Sequence, residues 1–146
     1  CGTGETCSGG TCAGGGTPGG RESCSSATTI AAAGGTYTFD LSTRTASHTP
    51  FTCGAATSRP DVAFVWRPSR SGTATFAGTG PDDTTIAVFS SSACTSTSSL
   101  GCNDDSVGVD PSLSLSVTSG TSYYIVMSAY DSVPVAGTYS LTVTAP

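Results

Sequence analysis

The chain has 146 residues, of which 10% are charged, with a net charge of −5 and no lysine; its five positive charges are scattered arginines. That excludes a nucleic-acid footprint, which needs clustered basic side chains, and no apolar run approaches the roughly 20 residues of a membrane-spanning helix. Ser and Thr supply roughly a third of the residues and Gly another 19, well above ordinary usage, yet the apolar residues fall in short alternating runs that suit a pleated, half-buried surface rather than a disordered chain.

Residues 1–23 stand apart. They hold Cys1, Cys7 and Cys12 among glycines and almost nothing that a core would bury. This stretch reads as an extended Gly/Cys-rich N-terminal tail with small cystine loops. The chain does not begin with Met and shows no signal peptide, so the expectation is a mature product or an excised segment.

Residues 24–146 read as one β domain. Tyr37–Leu41 alternates, and Val62, Phe64 and Trp66 share one strand face with Ala63 and Val65 on the other. Ala74–Phe76 follows the turn at Ser71-Gly72, and Thr84–Phe89 follows Gly80-Pro81. Leu113, Leu115 and Val117 alternate with serines, which predicts a half-buried strand. Tyr123–Met127 is apolar on both faces and is expected at the centre of its sheet. Tyr139, Leu141 and Val143 alternate near the end. No stretch keeps a helical period. Seven to nine short strands at this spacing predict an all-β antiparallel β-sandwich, jelly-roll-like and stapled by disulfides. The expected core is Val62, Phe64, Trp66, Phe76, Ile86, Val88, Leu113, Leu115, Val117, Ile125, Met127, Leu141 and Val143. Tyr123 and Tyr124 point to opposite faces and are not read as a ligand patch.

Seven cysteines in a small Ser/Thr/Gly-rich domain place the protein in an oxidising compartment, outside the cell or on its surface. Cys94 and Cys102 flank a short Ser/Thr-rich loop, within disulfide reach, and are expected to pair. Cys7–Cys12 is the local loop of the tail. Cys1 is then left over: a lipid anchor, an intermolecular disulfide used in assembly, or a fragment edge, between which the count does not choose.

The series Pro60-Asp61-Val62-Ala-Phe64, Asp83–Phe89, Cys94 to Cys102-Asn-Asp-Asp105, Ser119–Ile125 and Gly137–Val143 resembles the bacterial pre-peptidase C-terminal domain family, in its cysteine-containing secreted and surface variant. The resemblance spans about residues 24–145 and leaves the tail outside. It implies a jelly-roll sandwich used as an accessory module on secreted proteins. It also implies cysteines before the first strand and before the Asp61 strand, and with them a Cys24–Cys53 bridge.

Asp83 precedes one strand, Asp104 and Asp105 follow Cys102, and Asp110 lies five residues further on. Hard oxygen ligands converging in a loop would suit Ca²⁺, which some members of that family bind. The plainer reading is that these residues shape turns, as Asx side chains do. Asp61 is assigned to a structural hydrogen-bond set. His48 lies in a polar loop without evident partners, no Gly-x-Ser-x-Gly elbow is present, and Trp66 is in phase with the core, so no catalytic set is visible. Three functions fit the sequence, and the cysteines of the tail tip the reading toward the first, with the other two as alternatives. One is a non-catalytic extracellular structural protein that self-assembles into a fibre or coat through its N-terminal tail. Another is an accessory binding module of a secreted hydrolase. The third is a calcium-dependent adhesin for a glycan or protein.

Overall fold

The computed structural model describes residues 6–8, 11–13, 23–48, 52–54, 59–130 and 136–146, with the backbone alone at 6–8 and 11–13. Cys1 and the expected Cys7–Cys12 pairing lie outside the described residues and side chains. In the tail, β1 (Thr6–Ser8) and β2 (Thr11–Ala13) pair antiparallel with each other, Cys7 opposite Cys12.

The other described strands are β3 (Thr28–Ile30), β4 (Gly34–Phe39), β5 (Asp61–Trp66), β6 (Gly72–Thr79), β7 (Thr84–Phe89), β8 (Ser99–Asn103), β9 (Ser112–Val117), β10 (Tyr123–Ala129) and β11 (Tyr139–Thr144). They form a five-stranded sheet, β3-β5-β10-β7-β8, and a four-stranded sheet, β4-β11-β6-β9. Successive strands cross between the two sheets except from β7 to β8. Strands β4 to β11 thereby follow jelly-roll connectivity. One pair departs from the antiparallel expectation: β3 lies parallel to β5, with Thr28 opposite Phe64.

Period-two alternation explains which residues enter the core. Val62, Phe64 and Trp66 from β5, Ile86 and Val88 from β7, and Ile125 and Met127 from β10 face Phe76, Leu141 and Val143 of the other sheet; all are buried. Phe39 and Leu41 extend the pattern past the end of β4, and Tyr139 is fully buried with its hydroxyl donating to Asp82 Oδ2 at 2.5 Å. Leu113 and Leu115 are only half-buried. The reason is position: β9 is an edge strand, flanked by β6 on one side alone.

Strand β10 is central, between β5 and β7, as its two apolar faces require. Its second face, with Val126, packs with Ala63, Ala87 and Phe89 into a smaller apolar cluster on the outside of the five-stranded sheet. Cys24 and Cys94 complete that cluster. Among the described residues, disulfide-held connections thus cover this sheet face. The outer face of the four-stranded sheet carries hydroxyls instead, with Thr36 bonded to Thr142, Thr75 to Ser114 and Thr79 to Ser140 across the strands.

The turn before β4 explains one glycine. Gly34 donates its N–H to Ala31 O at 2.8 Å and has φ +79°, and a Cβ there would collide with the Val143 carbonyl. Only glycine satisfies both the left-handed backbone and the close approach of β11.

Candidate functional site

Asp61 opens β5 and is 1% exposed. Its carboxylate is the anchor of the preceding connection. Oδ2 accepts the backbone N–H of Ser47 at 2.9 Å and of His48 at 3.0 Å, and Oδ1 lies 2.9 Å from His48 Nδ1. The Asp61 N–H in turn donates to Thr45 O at 3.2 Å. A buried carboxylate is tolerable only when its lone pairs are satisfied in this way. The structural hydrogen-bond set expected at Asp61 is therefore present, and His48 belongs to it. The loop position of His48 concealed this partner, thirteen residues away in sequence.

Asp61→Ala should remove about 3 kcal/mol of stability, because two loop amides and the imidazole lose a charged acceptor in a buried setting. Denaturant unfolding followed by circular dichroism measures it. A loss below about 1 kcal/mol would mean that water satisfies those donors and the carboxylate is not the anchor.

The cystines differ from expectation. The bridges are Cys24–Cys94 and Cys53–Cys102, with Cα–Cα distances of 6.2 and 5.9 Å, in place of Cys94–Cys102 and Cys24–Cys53. The ladder between β7 and β8 gives the physical reason. Phe89 pairs with Ser99 and Ala87 with Cys102. Cys102 is thus carried about 10 Å back along the sheet from the turn that holds Cys94, at about 3.3 Å per residue. That is beyond disulfide reach. The turn instead delivers Cys94 over the outer sheet face to Cys24, in the 3₁₀ turn Cys24–Ser26.

Cys94 has φ +45°, the one non-glycine residue in the left-handed region among those described. Holding a side chain there costs about 1–2 kcal/mol. Cys24 and Cys94 are each 4% exposed, and the His48 side chain is 7% exposed. A ring nitrogen of His48 and the two sulfurs all lie within 4.8 Å of one another.

The acidic residues sit elsewhere. The Asp83 carbonyl accepts the Tyr130 N–H at 3.0 Å as β7 begins. Antiparallel pairing of Ile86 with Asn103 brings the Asp104–Asp105 turn to that same end of the sheet. There the side chains mainly shape the backbone. Asn103 Oδ1 accepts from Ser112 N at 2.9 Å, its Nδ2 donates to Asp105 O at 3.3 Å, and Asp104 Oδ1 accepts from Asp105 N at 2.9 Å. Asp110 closes the next turn through its carbonyl, which accepts from Ser106 and Val107, while its Oδ1 is buried without a hydrogen-bond partner. Among the described residues, no three carboxylates bring ligand oxygens within 4.8 Å of one another. A calcium shell here would draw on Asp110 and on backbone carbonyls. Asp40 lies apart in a surface turn, its carboxyl held below the ordinary value by the Ser42 hydroxyl and then the Ser42 N–H.

The chemistry available is limited. His48 with Asp61 supplies a base and the group that orients it, but both side chains are buried, and His48 lies beside the Cys24–Cys94 disulfide. No helix of the described residues is long and apolar enough to cross a membrane.

No protein-family model matches the sequence, and no curated protein matches it. Among solved structures, the chain is similar to the pre-peptidase C-terminal domain of collagenase from Bacillus anthracis. The TM-score is 0.52 at 13% identity, over 80% of this chain and 90% of that one. The chain has the fold of a pre-peptidase C-terminal domain. This agrees with the family resemblance drawn from the sequence, and the two disulfides suit its cysteine-containing variant. At 13% identity the likeness reaches the pre-peptidase C-terminal fold and not its side chains. The roles of Asp61, His48 and the cystines therefore rest on the contacts they make in this chain.

Proposed function

We propose that this chain is a non-catalytic accessory module of a secreted hydrolase, holding a macromolecular substrate or surface for an enzyme domain. The observation that carries the proposal is the jelly-roll fold shared with the pre-peptidase C-terminal domain of a collagenase. The burial of the His48–Asp61 pair supports it, since neither residue is placed to meet a substrate. Leu100, Val107 and Val109 are the exposed large hydrophobic residues among those described, at 45%, 77% and 49%. Val107 and Val109 lie on the turn after β8, closed by the Val107–Asp110 bridge, and we take that turn as the binding edge.

The test is co-sedimentation of the full chain with insoluble fibrous protein and with insoluble polysaccharide. Retention by one of them is expected. Val107→Ser combined with Val109→Ser should weaken it about tenfold or more, as two buried valines would. Retention unchanged in that variant removes the binding edge, and no retention on any polymer removes the binding role.

Calcium enters the proposal at the same turn. An ion there would satisfy the buried Asp110 Oδ1 and stiffen the Val107–Val109 tip, the arrangement of a calcium-dependent adhesin. Calcium added to chelator-stripped protein should raise Tm, because an ion that binds only the folded state stabilises it. Asp110→Ala should abolish the rise. Equal melting with and without calcium leaves Asp83, Asp104, Asp105 and Asp110 as turn formers.

Self-assembly through the tail is the weaker reading. Where its backbone is described, the tail pairs with itself, β1 against β2. Sedimentation of the full chain at high concentration should give one monomeric species. Polymers that grow with concentration would restore the fibre or coat.

A further inference from the structure

The cluster over the outer face of the five-stranded sheet has a donor set that the accessory role does not use. It holds two sulfurs and one imidazole, with ligand atoms within 4.8 Å of one another, each side chain at least nine-tenths buried. We propose that Cys24, Cys94 and His48 form a redox-gated metal site: a disulfide when oxidised, and a zinc-binding Cys₂His centre when reduced.

The donor chemistry fits. Two thiolates and one imidazole are a common protein contribution to tetrahedral zinc, with water in the fourth position. Asp61 Oδ1 takes His48 Nδ1, which leaves Nε2 for the metal. A carboxylate behind a ligating histidine fixes its tautomer and ring orientation. The backbone that carries the donors does not rely on the S–S bond alone. Cys94 N donates to Ser91 O at 3.1 Å, the Cys24 carbonyl accepts from Ala27 N at 3.4 Å, and His48 is held by Asp61 through both its ring and its amide. Cys53–Cys102 lacks this company: no His, Asp or Glu of the described residues groups with it.

The conversion balances. A dithiol reductant gives its two electrons and two protons to the Cys24–Cys94 bond and leaves as its own disulfide, and the protein gains two thiols. Zn²⁺ then displaces the two thiol protons to solvent and takes the imidazole lone pair. The metal replaces one covalent link between the N-terminal turn and the β7–β8 connection with another.

The test uses the full chain, reduced under native conditions, with and without zinc. Two readouts are followed: the near-ultraviolet circular dichroism of buried Trp66, and the alkylation rate of each cysteine by mass spectrometry. Zinc should restore the Trp66 signal of the oxidised protein. It should slow alkylation of Cys24 and Cys94 at least tenfold, while Cys7, Cys12, Cys53 and Cys102 change little. His48→Ala, oxidised, should fold. Reduced, it should need at least tenfold more zinc for the same response. The alkylation pattern needs no variant and decides the matter even where His48→Ala does not fold. Three results each overturn the proposal: protection of the tail cysteines instead, protection spread evenly over all cysteines, or a reduced chain that zinc leaves unfolded.

Discussion

Trp66→Ala should lower the stability of the folded chain by about 3–5 kcal/mol, the range for removing a large aromatic side chain from a packed core. Trp66 is fully buried on β5, in edge contact with Phe76 of the opposite sheet at 5.7 Å between ring centroids and tilted against Tyr123 at 6.3 Å. It therefore joins the two sheets, and the void left by alanine is lined from both sides. The indole Nε1–H donates to the carbonyls of Ala31 and Ala32, at 3.1 and 3.3 Å. Those carbonyls belong to the turn that launches β4, so the same side chain fixes where the first strand of the other sheet begins. Trp66→Phe keeps most of the apolar volume and loses that hydrogen bond together with the smaller part of the indole ring. Both alanines are exposed, so water can satisfy their carbonyls, and the phenylalanine variant should lose about 1 kcal/mol. Guanidinium unfolding of the three proteins, followed in the far ultraviolet, separates the two contributions. An alanine variant within about 1 kcal/mol of the parent would mean that the indole is not in the core, and would favour a sugar-stacking role for it.

How much of this was legible in the sequence follows from the range of the forces involved. Alternation is local, and it read correctly for β5, β7, β10 and β11, including the central place of β10 from its two apolar faces. It read poorly where a strand is short or polar. Thr28–Ile30 is too brief to show a period and pairs in parallel, and Ser99–Asn103 has a serine, a glycine and an asparagine at the alternate positions where a period would need apolar residues. Alternation also misjudged depth at Leu113 and Leu115, because sequence does not say which strand ends a sheet. The cystine partners were hidden for a related reason: proximity along the chain favoured Cys94–Cys102, while the β7–β8 register carries Cys102 away from the turn. The His48–Asp61 contact was half visible. Asp61 before a buried strand signalled a carboxylate that needed donors, but nothing local named the loop that supplies them.

The corrected cystines carry the second large effect. Removing either bridge frees a long loop in the unfolded chain, 70 residues for Cys24–Cys94 and 49 for Cys53–Cys102. Chain entropy alone sets each at roughly 4 kcal/mol. The two differ in what they touch when folded. Cys24 and Cys94 are buried with Ala63, Ala87 and Val126, whereas Cys53 and Cys102 are half exposed. Cys24→Ala with Cys94→Ala should therefore cost more than Cys53→Ala with Cys102→Ala, because it also removes sulfur packing from the covered sheet face. Denaturant midpoints of the two double variants give the order. The pairing itself needs a particular digest. No arginine or lysine follows Arg70, so a tryptic peptide holds Cys94 and Cys102 together and cannot distinguish the alternatives. Chymotryptic cleavage after Leu100, which is 45% exposed, parts them. Under non-reducing conditions the peptide with Cys94 should then be joined to the one with Cys24, and the peptide with Cys102 to the one with Cys53. A Cys94–Cys102 link would release Cys24 from the outer sheet face. That would leave Ala63, Ala87 and Val126 uncovered, and would dissolve the site that Cys24, Cys94 and His48 share.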